Sequence, residues 1–270
     1  MPESRSGFAP VNGTELYYEV TGEGPALVLV HAGVSDHRLW DDQVPVFAEH
    51  YQVIRYDMRG FGRSAMPPGT FSLREDLYGL LQALGVDRAA VCGVSMGGRT
   101  VVEFALEHPE MTTAVVPVAA GFVMAEPTES TKALFAQLEP AYEARDIDRV
   151  VDLELAIWLA GPARDPQSIP AALREKFRLM ERHNLEIEFA GEEGQAEWLD
   201  GVEDRLTEIK APTLVIVGDQ DLTGCLATAD LLAAQVPGAR KVVLPNVAHL
   251  PPLEVPGDFN RLVLDFLADR

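Results

Sequence analysis

The spacing of apolar and polar positions in the first third of the chain predicts four strands and a helix. Residues 8–20 alternate apolar and polar side chains around an Asn-Gly pair, which indicates a two-stranded hairpin. Residues 26–30 and 51–56 are short runs rich in β-branched side chains, as expected of strands that are buried on both faces. A capping-box sequence begins at Ser72, and leucines then recur at helical spacing until Gly85, so we predict a helix between these two residues.

The same alternation of strand and helix patterns continues on both sides of a long central segment. Apolar runs at residues 89–93, 114–120, 213–217 and 240–244 predict further strands, and a helical pattern at 259–267 closes the chain. Strands that alternate with helices through short connections form a parallel sheet covered by helices on both faces. We therefore predict an α/β fold.

The central segment departs from this rhythm, because it has helical spacing and no run typical of a strand. Gly161-Pro162 and Asp165-Pro166 break its helical patterns. Residues 122–205 contain 19 acidic and 9 basic residues. We predict that 122–205 forms an all-helical cap, inserted between two strands of a core domain made of residues 1–121 and 206–270.

Composition narrows the class of protein without identifying a reaction. The chain has 270 residues, 47% of them hydrophobic, which is enough for one large domain with an insertion. Its net charge of −20 disfavours nucleic acid and anionic membrane surfaces as partners. Cys92 and Cys225 form neither a disulfide framework nor a metal-binding spacing. The sequence lacks an apolar leader and a spanning segment, so we expect a soluble, cytoplasmic protein.

A Gly-x-Ser-x-Gly sequence, from Gly93 through Ser95 to Gly97, lies between a predicted strand and a predicted helix. In that context it is typical of a nucleophile elbow, a strained turn that presents a serine hydroxyl above the edge of a sheet. The glycines permit a backbone that doubles back tightly. The start of the following helix directs free N–H groups to the position where an oxyanion would develop.

Chemically reactive residues also follow other strands, in the order Ser95, Asp219 or Asp221, and His249. Carboxyl ends of parallel strands meet at one edge of a sheet, so these side chains are expected to converge. A histidine can take the serine proton near neutral pH, and an aspartate can orient its imidazole. We favour Asp221, because a longer turn places its carboxylate beyond the strand end, while Asp219 would brace that turn. His31 follows an earlier strand and is predicted to brace the oxyanion loop.

Five segments together resemble the α/β-hydrolase superfamily, in its capped, esterase-like branch. They are residues 29–33 (LVHAG), 57–64 (DMRGFGRS), 93–98 (GVSMGG), 218–221 (GDQD) and 248–249 (AH). The resemblance implies an eight-stranded, mostly parallel sheet and a catalytic triad of Ser95, His249 and Asp221. It also implies that the backbone N–H groups of Gly33 and Met96 hold the oxyanion. Residues 31–40 are locally similar to 3-oxoadipate enol-lactonase-like members.

Within this superfamily, a serine at position 95 favours acyl transfer to water through an acyl-enzyme over dehalogenation or epoxide hydrolysis. The predicted function is a serine hydrolase that cleaves a small carboxylic ester or lactone without a cofactor or metal. Two alternatives stay open at this point. The same triad could serve a carbon–carbon bond hydrolase or a cofactor-free haloperoxidase, or the fold could carry a small-molecule receptor. A homodimer is one of the open assembly states.

The predicted cap is expected to shape the substrate pocket, with Phe122, Phe135 and Trp158 among the side chains that line it. The negative charge of this segment favours a neutral or apolar ester over an anionic substrate. Arg38 and Arg99 lie near the expected mouth of the pocket. Each could bind an acid group or be taken up in a salt bridge.

Overall fold

The computed structural model describes residues 4–191 and 194–269. Residues 1–3 and 270 of the predicted core domain and residues 192–193 of the predicted cap lie outside the described residues. The strands are β1 (Ser4–Val11), β2 (Thr14–Thr21), β3 (Ala26–Val30), β4 (Gln52–Tyr56), β5 (Gly69–Phe71), β6 (Ala89–Val94), β7 (Thr112–Val118), β8 (Gly194–Ala196), β9 (Leu214–Gly218) and β10 (Arg240–Leu244).

Helices connect these strands and form most of the central insert. They are α1 (Val44–Phe47), α2 (Leu73–Leu84), α3 (Met96–Glu107), α4 (Glu129–Glu143), α5 (Ile147–Glu154), α6 (Ala171–Ala190), α7 (Val202–Arg205), α8 (Thr223–Gln235), α9 (Pro251–Glu254) and α10 (Pro256–Ala268). A π-helical turn, Leu155–Leu159, continues α5 directly. No helix in the described ranges is long and apolar enough to cross a membrane.

The main sheet has eight strands in the order β1-β2-β4-β3-β6-β7-β9-β10. β2 runs antiparallel to both of its neighbours, and the strands from β4 to β10 pair in parallel. This confirms the predicted fold, an eight-stranded and mostly parallel α/β sheet. It also places the ends of β3, β6, β9 and β10 on one edge of the sheet, where their connecting loops meet.

Local sequence signals explain where these elements begin and end. The hairpin between β1 and β2 turns through Asn12 and Gly13, whose φ angles are 45° and 79°. Both values lie in the left-handed region that an Asn-Gly turn requires. The hydroxyl of Ser72 accepts a hydrogen bond from the Glu75 N–H at the start of α2. Gly85 ends that helix with φ 70°, as the sequence predicts.

The two faces of the sheet pack against separate hydrophobic layers. On β3, Val28 and Val30 contact the layer that includes α2 and α3, whereas Leu27 and Leu29 contact the layer on the other face. Residues that alternate along a strand point to opposite faces, so an unbroken apolar run is what a doubly covered strand requires. The second layer contains Trp40 among its largest fully buried side chains.

The insert packs partly on itself and partly on the core, because Leu155, Leu159 and Phe177 belong to the second hydrophobic layer of the sheet. Helices α4, α5 and α6 share a small hydrophobic cluster. Asn184, on α6, accepts a hydrogen bond from the Gly62 N–H at 3.1 Å and donates one to the Ser35 carbonyl at 3.0 Å. These two bonds fix α6 above the loops that follow β3 and β4.

The prediction that the cap is all-helical is wrong in one detail. Strand β8 lies within the predicted cap and pairs in parallel with β5, which comes from the core. Each strand has three residues, too few to produce a visible alternation of apolar and polar positions. The pairing is long-range and is therefore not encoded in either local pattern.

Candidate active site

Ser95 lies in the sharp turn between β6 and α3, with φ 56° and ψ −113°. Its N–H donates to the Val118 carbonyl at 2.8 Å, which anchors the turn to the neighbouring strand. A Cβ atom added at Gly93 would lie 2.2 Å from the Gly97 carbonyl oxygen, and one added at Gly97 would lie 2.4 Å from the Val30 oxygen. Only glycine fits at either position, so the local geometry is that of a nucleophile elbow.

Two backbone amides next to this turn, those of Gly33 and Met96, are candidates for binding an anion. Met96 is the first residue of α3, and Gly33 lies in the loop after β3. A Cβ atom at Gly33 would lie 2.9 Å from the terminal methyl carbon of Met96, so the two residues are in contact. Neither amide donates a hydrogen bond to a described residue. Two free N–H groups beside a half-buried serine are what an oxyanion hole requires.

His31 braces the loop that carries Gly33. Its imidazole is fully buried, and Nδ1 donates to the Ala32 carbonyl at 2.8 Å. Nε2 accepts a hydrogen bond from the Met58 N–H at 2.9 Å. Burial lowers the pKa of His31, which favours the neutral ring that this pattern of one donor and one acceptor needs. The structure thus places His31 where the sequence prediction expects it.

Asp221 and His249 form a buried hydrogen-bonded pair at the ends of β9 and β10. His249 Nδ1 donates to Asp221 Oδ1 at 2.8 Å, and the same oxygen accepts the Leu222 N–H at 2.7 Å. The side chains are 2% and 0% exposed. His249 Nε2 is buried and has no hydrogen-bond partner in the described residues. With Nδ1 protonated towards the carboxylate, Nε2 carries the free lone pair of a potential general base.

Asp219 has a different role from Asp221. Its Oδ1 accepts the Asn246 N–H at 2.7 Å, and Asn246 has a φ of 58°. Asp219 therefore holds the turn that leads to the loop of His249. Of the two aspartates that the sequence leaves in competition, the structure brings Asp221 to the histidine and Asp219 to the turn.

Cys225 lies beside this pair, and the sequence analysis assigned it no role. Its Sγ is 3.7 Å from His249 Nδ1. Burial and the charge of Asp221 raise the pKa of the thiol well above its usual value, so Cys225 stays neutral next to the carboxylate. The sequence hint for this position is the spacing of the two residues. Cys225 comes four residues after Asp221, in the first turn of α8, and side chains at this spacing lie close together along a helix.

Among the described residues, two clusters have the residue types of a metal site. One consists of Asp221, Cys225 and His249, and the other of Asp36, His37 and Asp57. In the second cluster, His37 Nδ1 already lies 2.7 Å from Asp57 Oδ1. In the first cluster, His249 Nδ1 is likewise bonded to Asp221 Oδ1. A metal ion would have to replace these hydrogen bonds in order to bind.

Of the predicted pocket aromatics, Trp158 lies against the histidine, Phe135 packs on Trp158, and Phe122 lies next to α8. The Trp158 ring centroid is 4.6 Å from that of His249, and the Trp158 carbonyl accepts the His249 N–H at 3.3 Å. Phe135 packs edge-on against Trp158 at 6.2 Å. The Phe122 N–H donates to Thr228 on α8. Their role in substrate binding stays a prediction.

A cavity of about 770 Å³ lies between the core loops and the insert. Gly33 and Met96 contribute to its wall from the core, and Glu154 and Glu181 contribute from the insert. Phe122, Phe135 and Trp158 do not line it. A cavity of this size accommodates a small organic ligand. Its wall includes Gly33 and Met96, which flank the turn of Ser95, but not Ser95 or His249 themselves.

The arginines that the sequence places near the pocket mouth are engaged in ion pairs. Arg38 forms a forked pair with Asp36, and Arg99 donates to Glu103 at 2.7 Å. The guanidinium of Arg99 also stacks over the ring of Trp198 at 4.4 Å. Both arginines are therefore held in salt bridges, which is one of the two roles that the sequence leaves open for them.

Arg164, in the insert, ties the predicted cap to the loop that carries His249. It donates to the Asn246 carbonyl at 2.6 Å and pairs with Glu254 at 2.7 Å, and it also binds carbonyls within the insert. Glu254 in turn accepts the Ala248 N–H at 2.9 Å. One guanidinium thereby holds both the cap and the residue before His249.

Replacing Arg164 with alanine is expected to lower kcat/KM for an ester about tenfold and the Tm by several degrees. The substitution removes several charge-assisted hydrogen bonds and leaves Glu254 buried without its partner, a loss of about 3 kcal/mol. Burial already raises the pKa of Glu254, so we expect the loss of stability to be larger at pH 8 than at pH 5. Calorimetry at both pH values and steady-state kinetics measure these effects.

Arg261→Ala is the matched control, because Arg261 is exposed and pairs only with Asp258 on the same helix. Arg261→Ala should change neither kcat/KM nor the Tm measurably. Equal behaviour of the two variants would contradict the assigned role of Arg164.

Comparison with known proteins agrees with this architecture. A sequence profile of the alpha/beta hydrolase fold family matches residues 25–256. 2-Hydroxy-6-oxo-6-phenylhexa-2,4-dienoate hydrolase of Burkholderia cepacia is 31% identical to this chain, over 92% of this chain and 89% of that protein. 3-Oxoadipate enol-lactonase 2 of Acinetobacter baylyi is 27% identical, over 92% and 91%.

A solved structure shows the same likeness in three dimensions. The enol-lactonase from Burkholderia xenovorans LB400 superimposes with a TM-score of 0.78 at 29% identity, and the match covers 97% of this chain and 100% of that chain. The similarity therefore extends over both the sheet and the insert.

Proposed function

Because the chain belongs to the alpha/beta hydrolase fold family and is a hydrolase, we propose that it cleaves a carboxylic ester or lactone through an acyl-enzyme on Ser95. One observation carries this proposal. The Asp221–His249 pair has a free Nε2 at the same edge of the sheet as the strained turn of Ser95. A serine hydroxyl needs such a base, and an ester supplies the carbonyl that it can attack.

In the first half of the reaction, Ser95 Oγ attacks the carbonyl carbon while His249 Nε2 takes the hydroxyl proton. The carbonyl oxygen becomes an oxyanion, which the N–H groups of Gly33 and Met96 stabilise. When the tetrahedral intermediate collapses, the bond to the alcohol oxygen breaks and His249 returns the proton to it. Asp221 stabilises the imidazolium form of His249 throughout and keeps its ring in place.

In the second half, a water molecule takes the position of the alcohol. His249 removes a proton from the water as its oxygen attacks the acyl-enzyme. The same two amides stabilise the second oxyanion. Ser95 leaves as the hydroxyl with the proton from His249, and the carboxylic acid is released. A lactone follows the same steps, with its alcohol group still attached to the acyl group.

Carbon–carbon bond hydrolysis is the second candidate, because relatives are named for it. The substrate named for the Burkholderia cepacia relative has a ketone and no ester linkage, so its hydrolysis must break a carbon–carbon bond. That substrate is also an anion. On the wall of the cavity described here, Arg59 is already paired with Asp76 at 2.8 Å, and two glutamates face the ligand space. This arrangement favours an ester or lactone without a negative charge over a dienoate.

The test compares kcat/KM for p-nitrophenyl acetate, butyrate and octanoate and a simple lactone with kcat/KM for 2-hydroxy-6-oxo-6-phenylhexa-2,4-dienoate. We expect the best ester or lactone to react at least about 100-fold faster, a difference of about 3 kcal/mol in transition-state stabilisation. Faster turnover of the dienoate would replace ester hydrolysis by carbon–carbon cleavage as the function. Release of one p-nitrophenol per protein molecule, with no further turnover, would indicate a receptor.

A further inference from the structure

Two buried glutamates of the insert line the cavity whose wall also includes Gly33 and Met96. Glu154 ends α5 and Glu181 lies in the middle of α6, and they are 7% and 3% exposed. Both line the same 770 Å³ cavity as Gly33 and Met96. Carboxyl groups are rarely buried to this extent without a partner.

Glu181 hydrogen-bonds to Glu154 and to Asn184, but one carboxyl oxygen of each glutamate lacks a donor in the described residues. The Oε2 atom of each is buried and accepts no hydrogen bond from a described residue. Burial raises the pKa of both groups, and the charge of Glu154 and a hydrogen bond to it raise the pKa of Glu181 further. Two neighbouring carboxyls in one apolar site resist ionising together. The pair is therefore short of a positive partner.

No cation in the described part of the cavity wall is free to neutralise them. Arg59 is the one arginine or lysine on that wall, and Asp76 holds it through two hydrogen bonds of 2.8 Å. Glu188, exposed at the rim, adds a third carboxyl and accepts a hydrogen bond from Tyr142 at 3.2 Å. The side of the cavity formed by the insert is thus acidic, and it has unused hydrogen-bond acceptors.

We propose that this cavity selects substrates that carry a protonated amine, whose ammonium group binds Glu154 and Glu181 while the ester or lactone carbonyl reacts at Ser95. The proposal rests on the proposed function. An ammonium group has three N–H donors and a positive charge, so it can satisfy both Oε2 atoms and displace the proton that the pair shares. An anionic substrate would meet only repulsion on this wall.

The experiment uses p-nitrophenyl esters that differ at one end of the acyl chain. The 6-aminohexanoate and 8-aminooctanoate esters carry an ammonium group, and the heptanoate and nonanoate esters carry a methyl group in its place. The two chain lengths cover different distances from Ser95 to the glutamates. We expect the ratio of kcat/KM between an ammonium ester and its methyl counterpart to exceed about 10 for at least one length.

Glu181→Gln and Glu154→Gln keep the shape of the pair but leave one ionisable carboxyl, so the variant cannot offer two carboxylates to an ammonium group. The new amide can donate to the remaining carboxylate. Either variant should lower that ratio about 10- to 100-fold, as expected for a lost hydrogen bond to a charged group. Glu175→Gln is the matched control, because Glu175 is exposed on the same helix as Glu181. It should leave the ratio unchanged.

A binding measurement separates this inference from the proposed function. Calorimetric titration of Ser95→Ala with hexylammonium chloride should show binding that Glu181→Gln weakens at least about tenfold, with 1-hexanol as the uncharged comparison. Ammonium binding without ester turnover would support the cavity's specificity and overturn the proposed reaction. Ester turnover that depends on Ser95, with a ratio near 1 and no ammonium binding, would overturn the specificity alone.

Discussion

Ser95→Ala is expected to lower kcat/KM for a p-nitrophenyl ester by about 10⁵- to 10⁶-fold. The substitution removes the only atom that can form the acyl-enzyme in the proposed reaction, and residues of a triad act as one unit, so His249 and Asp221 alone preserve little. The amides of Gly33 and Met96 would still bind a developing oxyanion, which sets the small residual rate. Burst kinetics should also disappear, because no acyl-enzyme can accumulate.

The folded state should tolerate this change, so lost turnover can be read as lost chemistry. Ser95 has φ 56°, a strained conformation that costs a non-glycine residue about 1–3 kcal/mol. Alanine carries the same strain as serine, and Ser95→Gly relieves it. We expect Ser95→Ala to keep the wild-type Tm within a few degrees and Ser95→Gly to unfold at a higher temperature than Ser95→Ala.

Ser130→Ala provides the control for ester turnover, because Ser130 is an exposed serine on α4. It should have wild-type kinetics. Ester turnover that survives Ser95→Ala in a folded protein would mean that another residue is the nucleophile, and the whole assignment of the site would fail with it.

Much of the fold could be predicted because its signals are local. The boundaries of β3, α2 and β10 follow directly from apolar runs and from the Ser72 cap and Gly85 stop. A buried parallel strand needs apolar residues on both faces, and this requirement is visible in the sequence as an unbroken run. The elbow around Ser95 is visible for the same reason, since steric contacts of 2.2–2.4 Å exclude any residue but glycine at its flanks.

Features that depend on distant partners could not be predicted in this way. β5 and β8 are three residues each and pair across the boundary between core and insert. Glu154 and Glu181 look like ordinary acidic positions on two amphipathic helices, and only the packing of α5 against α6 buries both carboxyls at one cavity. Cys225 likewise gains its place beside His249 through tertiary structure. No single segment carries the information for these contacts.

Asp221→Asn is expected to lower kcat about 10⁴-fold, whereas Asp219→Asn should cost less than about threefold. Asp221 Oδ1 accepts hydrogen bonds from both the Leu222 N–H and His249 Nδ1. In the asparagine variant, the carbonyl oxygen can take the place of Oδ1 and accept both hydrogen bonds, and the amide NH₂ then replaces Oδ2, which has no partner in the described residues. What the variant loses is the negative charge that stabilises the imidazolium form of His249 when Nε2 takes the serine proton, so His249 becomes a much weaker base in the reaction.

Asp219→Asn also removes a negative charge, but this carboxylate bonds to the Asn246 N–H in the turn and not to the imidazole. Asp219 uses one oxygen to accept the Asn246 N–H, and the carbonyl of an asparagine can do the same. The turn that carries His249 should therefore keep its shape, and kcat should barely change. Steady-state kinetics of the two purified variants, each checked for folding by circular dichroism, give the ranking directly. A larger loss for Asp219→Asn would assign the orienting carboxylate to Asp219 and require the loop of His249 to move towards it during the reaction.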